Sequence, residues 1–278
     1  MSRARWTDAL RWVVLLLAVA VLDFPVISTV ITSLKGEAEI VGSASLLIQR
    51  PTLANYVRVF AISDRFDIRH YLVNSLAVAS FGTLLAAGLA FPAAYAMVRL
   101  GTARRWLLAL AVELRAIPLI VVSIPLYLLY QAAGLLDTRT GLALILCLVN
   151  LPLMLVLLAG AVRDQPIELE EAARLDGAGT LSLLWRVVLP LATPMLASAL
   201  VLGFVTAWNE YLFGLMLTTR DAVPVTVGAS FFFATSGGGV QWGVAAAVMM
   251  LGTLPPLLVG LFAYRHVGRS MMAGAVKG

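Results

Sequence analysis

Long apolar stretches separated by short polar segments dominate the chain. Six stand out, at about 12–33, 72–98, 107–130, 141–162, 191–217 and 243–264. Each exceeds the roughly 20 residues that carry a helix through a bilayer's hydrocarbon. None alternates apolar and polar residues at period two, which argues against a membrane β-barrel. The pattern predicts helices, because a helix satisfies its own backbone hydrogen bonds where no water is available. The first stretch follows Arg3, Arg5 and Arg11 and contains Ala18-Val19-Ala20, which mimics a signal-peptide cleavage site. Its apolar character continues through Asp23-Phe24-Pro25 to about Thr32, too long for a signal core, so an uncleaved first span is expected.

Composition agrees. Of 278 residues, 61% are hydrophobic and 13% charged, with a mean hydropathy of +0.94. Ordinary soluble domains are about 45–50% apolar and about 25% charged. A soluble single-domain enzyme and a disordered chain are both poor fits. The lone Cys147 excludes an intrachain disulfide and a cysteine metal cluster. The net charge of +5 does not imply nucleic acid, because the basic residues lie in small groups between apolar runs. With the amino terminus inside, Arg3, Arg5, Arg11, Arg99, Arg104, Arg105, Arg163, Arg174, Arg186, Arg265, Arg269 and Lys277 all fall on inner segments. That bias places both termini in the cytoplasm. The only lysines, Lys35 and Lys277, sit in no glycine-rich phosphate loop, so the chain binds no ATP by such a loop of its own. The long outer loop 34–71 is expected to hold short surface helices, and Gly237-Gly238-Gly239 a mobile turn.

The inner loop 163–190 is the most informative. Asp164 or Gln165 can cap a short helix with Pro166 at its first position. Glu168, Glu170 and Glu171 crowd its first turns, where the helix dipole favours negative charge. Gly177 is placed to end it in the left-handed conformation. A second short helix, 180–188, is expected to stop before Pro190. The small Ala172 and Ala173 would let the first helix seat deeply in a groove on another protein. The plainer reading is a solvated amphipathic connector.

Glu171-Ala172-Ala173, three residues, Gly177, nine residues, then Val187-Val188-Leu189-Pro190 resembles the EAA loop of ABC importer permeases, with Val187 where isoleucine is usual. Pro51-Thr52-Leu53-x-Asn55-Tyr56, Asn74-Ser75, Ile124-Pro125-Leu126-Tyr127, Gly134-Leu135-Leu136-Asp137-Thr138, Trp208-Asn209-Glu210 and the closing Gly274-Ala275-Val276-Lys277-Gly278 extend the resemblance to the MalG-type permeases of carbohydrate ABC importers. The resemblance implies an all-α polytopic membrane protein of the type I importer fold, one permease domain over 1–278 with six transmembrane helices, in the bacterial inner membrane. It implies a second, MalF-type permease, two ATPase subunits that bind ATP and magnesium, an extracytoplasmic binding protein or lipoprotein, and a carbohydrate substrate. It assigns Glu171, Ala172, Ala173, Asp176, Gly177 and Pro190 to the ATPase-coupling loop, and the tail Lys277 and Gly278 to the same interface. This chain itself would hold no cofactor and perform no bond chemistry.

Four ionisable residues fall within apolar stretches: Asp23, Glu113, Arg115 and Glu210. Each would cost about 2.5–3.5 kcal/mol facing lipid at mid-membrane, so each should face protein or water. Asp23 reads as a packing or capping group. Glu113 and Arg115, two apart, point to different faces and are either gate residues or members of ion pairs with other helices. Trp208, Asn209, Glu210 and Tyr211 are the best pathway residues, since aromatic faces stack on sugar rings and amides or carboxylates bond hydroxyls. The alternative is a packed interfacial girdle. Asn150, before Leu151-Pro152, is a weaker one of the same kind. His70 and His266 are expected at opposite membrane faces, which offers no metal site. The competing readings are a permease of the same machinery for another solute, such as a glycerol phosphodiester or polyol, an intramembrane enzyme, and a secondary transporter.

Overall fold

The computed structural model describes residues 3–42, 45–61, 67–101, 104–233 and 240–275. Their order is α1 (Arg3–Ser33), α2 (Glu37–Gly42), α3 (Ala54–Phe60), α4 (Ile68–Arg99), α5 (Arg104–Ala116), α6 (Leu119–Ala132), α7 (Arg139–Arg163), α8 (Ile167–Leu175), α9 (Thr180–Leu183), a π turn (Leu184–Val188), α10 (Leu189–Trp208), α11 (Leu212–Leu217), α12 (Val225–Phe231) and α13 (Trp242–Ala275). Among the described residues five helices are long and apolar enough to cross a membrane, and a sixth crossing arises if the bent pair α5–α6 counts as one span. Gly237, Gly238 and Gly239 lie outside the described residues.

Two compact units emerge, Met1–Arg69 with Gly228–Thr253, and His70–Val227 with Leu254–Gly278. In the first, α1 is exposed from Leu10 to Ile27, Asp23 included, while Ser33 at its end is buried. The loop after α1 does hold short helices, α2 and α3, and Asn55 and Tyr56 of α3 fasten the end of α1. The Asn55 amide donates to the carbonyls of Ser33 (2.9 Å) and Lys35 (2.7 Å), and the Tyr56 hydroxyl meets the Ser33 hydroxyl at 2.9 Å.

The second unit has its core among α4, α5, α7 and the α9–α10 rod. Ala86, Ala90 and Ala94 recur every fourth residue along one face of α4 and are buried with Leu158 and Val162 of α7 and Val188, Ala192 and Ala199 of the rod. Small side chains let helices approach where apolar lipid offers no hydrophobic drive for association. At Gly82 the backbones of α4 and α7 come close. A Cβ there would stand 2.8 Å from the Ala143 carbonyl oxygen and 3.1 Å from Leu146 Cβ.

Three expected boundaries change. The third span is not continuous: α5 and α6 meet at a bend of 99°. Ile117 precedes proline and is pushed away from helical dihedrals. Pro118 then adopts φ −59°, ψ 125° and α6 starts afresh behind it. The fifth span begins earlier and ends earlier than 191–217, running Thr180–Trp208. The second helix of the inner loop does not stop before Pro190, because the π turn carries it on. There the Leu189 N–H reaches back to the Leu184 carbonyl. The wider turn makes room for a proline ring that would otherwise strike the carbonyl four residues earlier.

At the other end of α4, a polar clasp holds the segment after α11. Asp137, at φ 54°, donates its N–H to the Leu217 carbonyl (2.7 Å). Its carboxylate accepts the backbone N–H groups of Thr219, Arg220, Asp221 and Ala222 at 3.0–3.1 Å and the Thr219 hydroxyl at 3.0 Å. The Asn74 amide donates to the carbonyls of Val223 (2.9 Å) and Asp221 (3.1 Å) and accepts from Arg139 Nε (2.7 Å). His70 Nε2 lies 2.8 Å from the Asp221 carbonyl, and Ser75 accepts the Val225 N–H at 2.7 Å. Partial burial alone would raise the Asp137 pKa, but the N–H donors of Asp221, Thr219, Ala222 and Arg220 outweigh it and hold the carboxyl at about 2.

Two outcomes follow. Gly82→Ala forces α4 away from α7 and should lower stability by about 1–3 kcal/mol, read as a lower melting temperature of the detergent-purified protein. Asp137→Ala orphans backbone donors and should cost about 1–3 kcal/mol at neutral pH. The depressed pKa makes that contribution complete above about pH 4 and lost as pH falls through about 2, so melting curves of variant and wild type should converge on acidification.

Candidate functional site

The knob between α7 and the α9–α10 rod is built from local rules. Asp164 closes α7 rather than opening α8, and Pro166 stands one position before α8, not at its first residue; no side chain caps that end. Pro166 brings no N–H needing a partner, and Glu168 and Glu170 meet the positive end of the helix dipole. The far end is sharply fixed. Gly177 has φ 87°, its N–H donates to the Arg174 carbonyl (3.0 Å), and the Ala178 N–H returns to the Ala173 carbonyl (2.9 Å). This pairing closes a helix only with its turn residue in the left-handed region, where glycine alone adds no strain.

Glu171, Ala172, Asp176 and Gly177 lie exposed on this knob, and Ala173 is half-buried against the core. Leu175 is 90% exposed and Leu181 70%, an apolar pair at the tip that water does not favour. Pro190 is exposed near the start of α10. Lys277 and Gly278 lie outside the described residues.

The knob's inner face carries a feature the sequence did not disclose. Glu170 is 2% exposed, and its carboxylate takes Arg99 Nε at 2.7 Å and the Tyr95 hydroxyl at 3.1 Å. Arg99 Nη2 also donates to the carbonyls of Val162 and Gln165, each at 2.8 Å. Arg174 donates to the Tyr95 hydroxyl at 3.3 Å, and the Gln165 amide to the Val188 carbonyl at 3.2 Å. Removing one partner of such a buried pair typically costs about 3–5 kcal/mol, since the other charge is left without compensation. Glu170 reads in sequence as a dipole residue and Arg99 as a topology signal; only the 71-residue separation closed by the fold pairs them.

The pathway residues divide. Trp208 is 3% exposed, its ring 5.6 Å from that of Phe204 at 34°. The Asn209 amide bonds back to the Val205 carbonyl (2.9 Å), ending α10. Glu210 caps α11, accepting the N–H groups of Phe213 (3.0 Å) and Gly214 (3.2 Å), while its own carbonyl accepts the Thr226 hydroxyl (3.0 Å). Asn209 and Tyr211 are exposed. Asn150 is buried and donates to the Gly203 carbonyl at 3.1 Å.

Glu113 and Arg115 are exposed in the last turn of α5, just before the 99° bend. Arg115 borders a cleft of about 230 Å³ with Leu119, Val122, Ile145, Val149 and Thr206. Glu113 does not line it. Among the described residues no group of three or more His, Cys, Asp or Glu is arranged to hold a metal.

Comparison with known proteins agrees with this architecture. Residues 81–273 match the family described as binding-protein-dependent transport system inner membrane component. The chain is 32% identical to the trehalose/maltose transport system permease protein MalG of Thermococcus litoralis, over 92% of this chain and 91% of that one. It is 33% identical to the sulfoquinovosyl glycerol transport system permease protein SmoH of Agrobacterium fabrum, over 92% and 89%. The fold is that of a bacterial ABC transporter involved in the import of the acidic polysaccharide alginate, at a TM-score of 0.77 and 23% identity, over 95% of this chain and 98% of that one. With its apolar crossings, its capped inner knob and these relatives, the chain belongs to the binding-protein-dependent transport system inner membrane components, the multi-pass permease subunits of ABC importers.

Proposed function

We propose that this chain, as one permease domain, forms half of the translocation pathway of an ATP-driven carbohydrate importer in a bacterial inner membrane. A second permease forms the other half, two ATPase subunits bind ATP and magnesium on the cytoplasmic side, and an extracytoplasmic binding protein delivers the sugar. The observation that carries this reading is the knob over 163–190: a short helix with an exposed Glu171-Ala172 face, a left-handed glycine turn, and a continuous rod behind it. Relatives that move trehalose, maltose and sulfoquinovosyl glycerol support a carbohydrate cargo. The basic residues on the segments joined to the knob support cytoplasmic termini, and 34–71 then faces outward.

The mechanism is mechanical. ATP draws the two ATPase subunits together. Glu171, Ala172, Ala173, Asp176 and Gly177 seat this knob in a cleft of one ATPase subunit, with Pro190 behind them in the rod. The tail Lys277–Gly278 reaches the same interface. Because α8 is closed by directional bonds at its far end, it is displaced as a body and not melted. The attached helices swing, and the pathway opens outward. ATP binding biases two existing arrangements by contacting them unequally. The sugar meets the exposed Asn209 and Tyr211, with Trp208, Glu210 and Asn150 shaping the wall behind them. Glu113 and Arg115 gate the pathway at the α5–α6 corner.

Gly177→Trp places a large side chain at φ 87°, a region costing L-residues about 1–2 kcal/mol. In proteoliposomes holding the whole complex, ATP hydrolysis should persist while uptake falls about tenfold or more. Uptake at the full wild-type rate would remove the knob from the mechanism, and uptake driven by an ion gradient without the ATPase subunits would favour a secondary transporter. The two pathway aromatics should separate. Tyr211→Ala should slow uptake with little change in melting temperature, whereas Trp208→Ala should cost stability by about 3–5 kcal/mol through the cavity it leaves.

A further inference from the structure

We infer that the buried pair Arg99–Glu170 fastens the coupling knob to α4, so that the ATPase stroke enters the second span directly as well as the two spans that flank the knob in sequence. The inference rests on the importer reading above and adds a route to it.

One guanidinium, at the last residue of α4, joins three parts of the knob's base. It bonds the Val162 carbonyl at the end of α7, the Gln165 carbonyl in the connector, and the Glu170 carboxylate in the first turns of α8, all at 2.7–2.8 Å. One turn earlier on α4, Tyr95 bonds Glu170 and receives Arg174. Two residues of α4 four apart thus hold two residues of α8 four apart. Attachment at two points removes both sliding and rolling. Packed apolar surfaces alone permit shear of about 1–2 Å between helices. A planar guanidinium in a dry site resists it, because each bond has its own direction and neither charge can leave its partner without exposure to apolar surroundings. The side chains are 11% and 2% exposed, so water does not substitute for either. The geometry therefore makes the end of α4 and the knob one body. Arg99 and Glu170 are positioning residues: they touch neither the solute nor nucleotide.

Two measurements test this in the assembled complex with its ATPase subunits, partner permease and binding protein. Spin labels at Leu100, just past α4, and Glu168, exposed on α8, report their separation in nanodiscs. In the wild type that distance should change by less than about 1 Å between nucleotide-free and ATP-bound states, below the range of interface shear. In the double variant Arg99→Gln with Glu170→Gln, uncharged so that no lone buried charge remains, it should broaden and shift with nucleotide. A nucleotide-dependent shift in the wild type would overturn the inference, whatever the complex transports. The second measurement is solute imported per ATP hydrolysed. It should fall about tenfold in the double variant and about threefold in Tyr95→Phe, which deletes one hydroxyl and leaves the fold intact, with hydrolysis and complex yield unchanged. An unchanged ratio in Tyr95→Phe, or a double variant whose uptake and hydrolysis fall only in step with yield, would overturn it by showing a purely structural clasp. A wild-type complex that imports no carbohydrate with ATP would instead reject the importer reading, leaving the distance measurement to judge the clasp.

Discussion

The hydrocarbon of a bilayer holds no water, so each backbone N–H and C=O within it must find its partner inside the chain. That constraint sorts this molecule's chemistry by depth. Along the middle of the helices, contact is made mostly by small residues, Ala86, Ala90 and Ala94 on α4 against α7 and the rod, and by the bare approach at Gly82, with one buried side-chain bond from Asn150 to the Gly203 carbonyl. Directional bonds gather at the helix ends, where backbone groups are free. One carboxylate, Asp137, collects the N–H groups of a segment that has no helix to use them. One guanidinium, Arg99, bonds carbonyls of α7 and of its connector.

Proline shows how the same constraint admits different outcomes. At Pro118 the span breaks and turns through 99°; at Pro190 the helix runs on. In both places a ring replaces an N–H. Around Pro190, Leu184 and Val188 are buried in the core, so a wider turn that keeps their packing outweighs the lost bond. Around Pro118, Ile117 and Ala116 are exposed and nothing holds the backbone to the helical path. Packing decides, and packing joins residues far apart in the chain.

Periodicity and punctuation made most of the fold legible in the sequence. Apolar runs located the first, second, fourth and sixth crossings within a few residues, and Gly177 announced the end of α8, whereas the fifth crossing lies about ten residues earlier than its run and the third is bent. What stayed hidden depends on partners distant in sequence. Arg99 resembles any residue that sets membrane orientation, and Glu170 any acid at a helix start; their pairing exists only after α4 and α8 meet. Asn74-Ser75 and Asp137 stood out as part of a family resemblance, yet their work, holding 218–225, requires residues more than eighty positions away. Trp208 is ambiguous in another way. Its residue type fits a sugar platform, but an indole is also a good filler for a gap between helices, and only burial tells the two apart.

The two clasps share one helix, and that has a mechanical consequence. Asn74, near the start of α4, is tied through Arg139 to the start of α7 and through its own amide to Asp221 and Val223. Arg99, at the end of α4, is tied to the end of α7 and to α8. Asn74 and Arg99 stand 25 positions apart on the helix, or about 37 Å at 1.5 Å per residue. A rod fixed at one end and free at the other can absorb a push by tilting alone. With Arg139 bonded to Asn74 and Arg99 bonded to the Val162 carbonyl, α4 and α7 are joined at both ends of their contact. Between the clasps the small-residue face packs against α7 and the rod through apolar contact, which by itself permits shear, so the directional bonds at the two ends set the register of the helices.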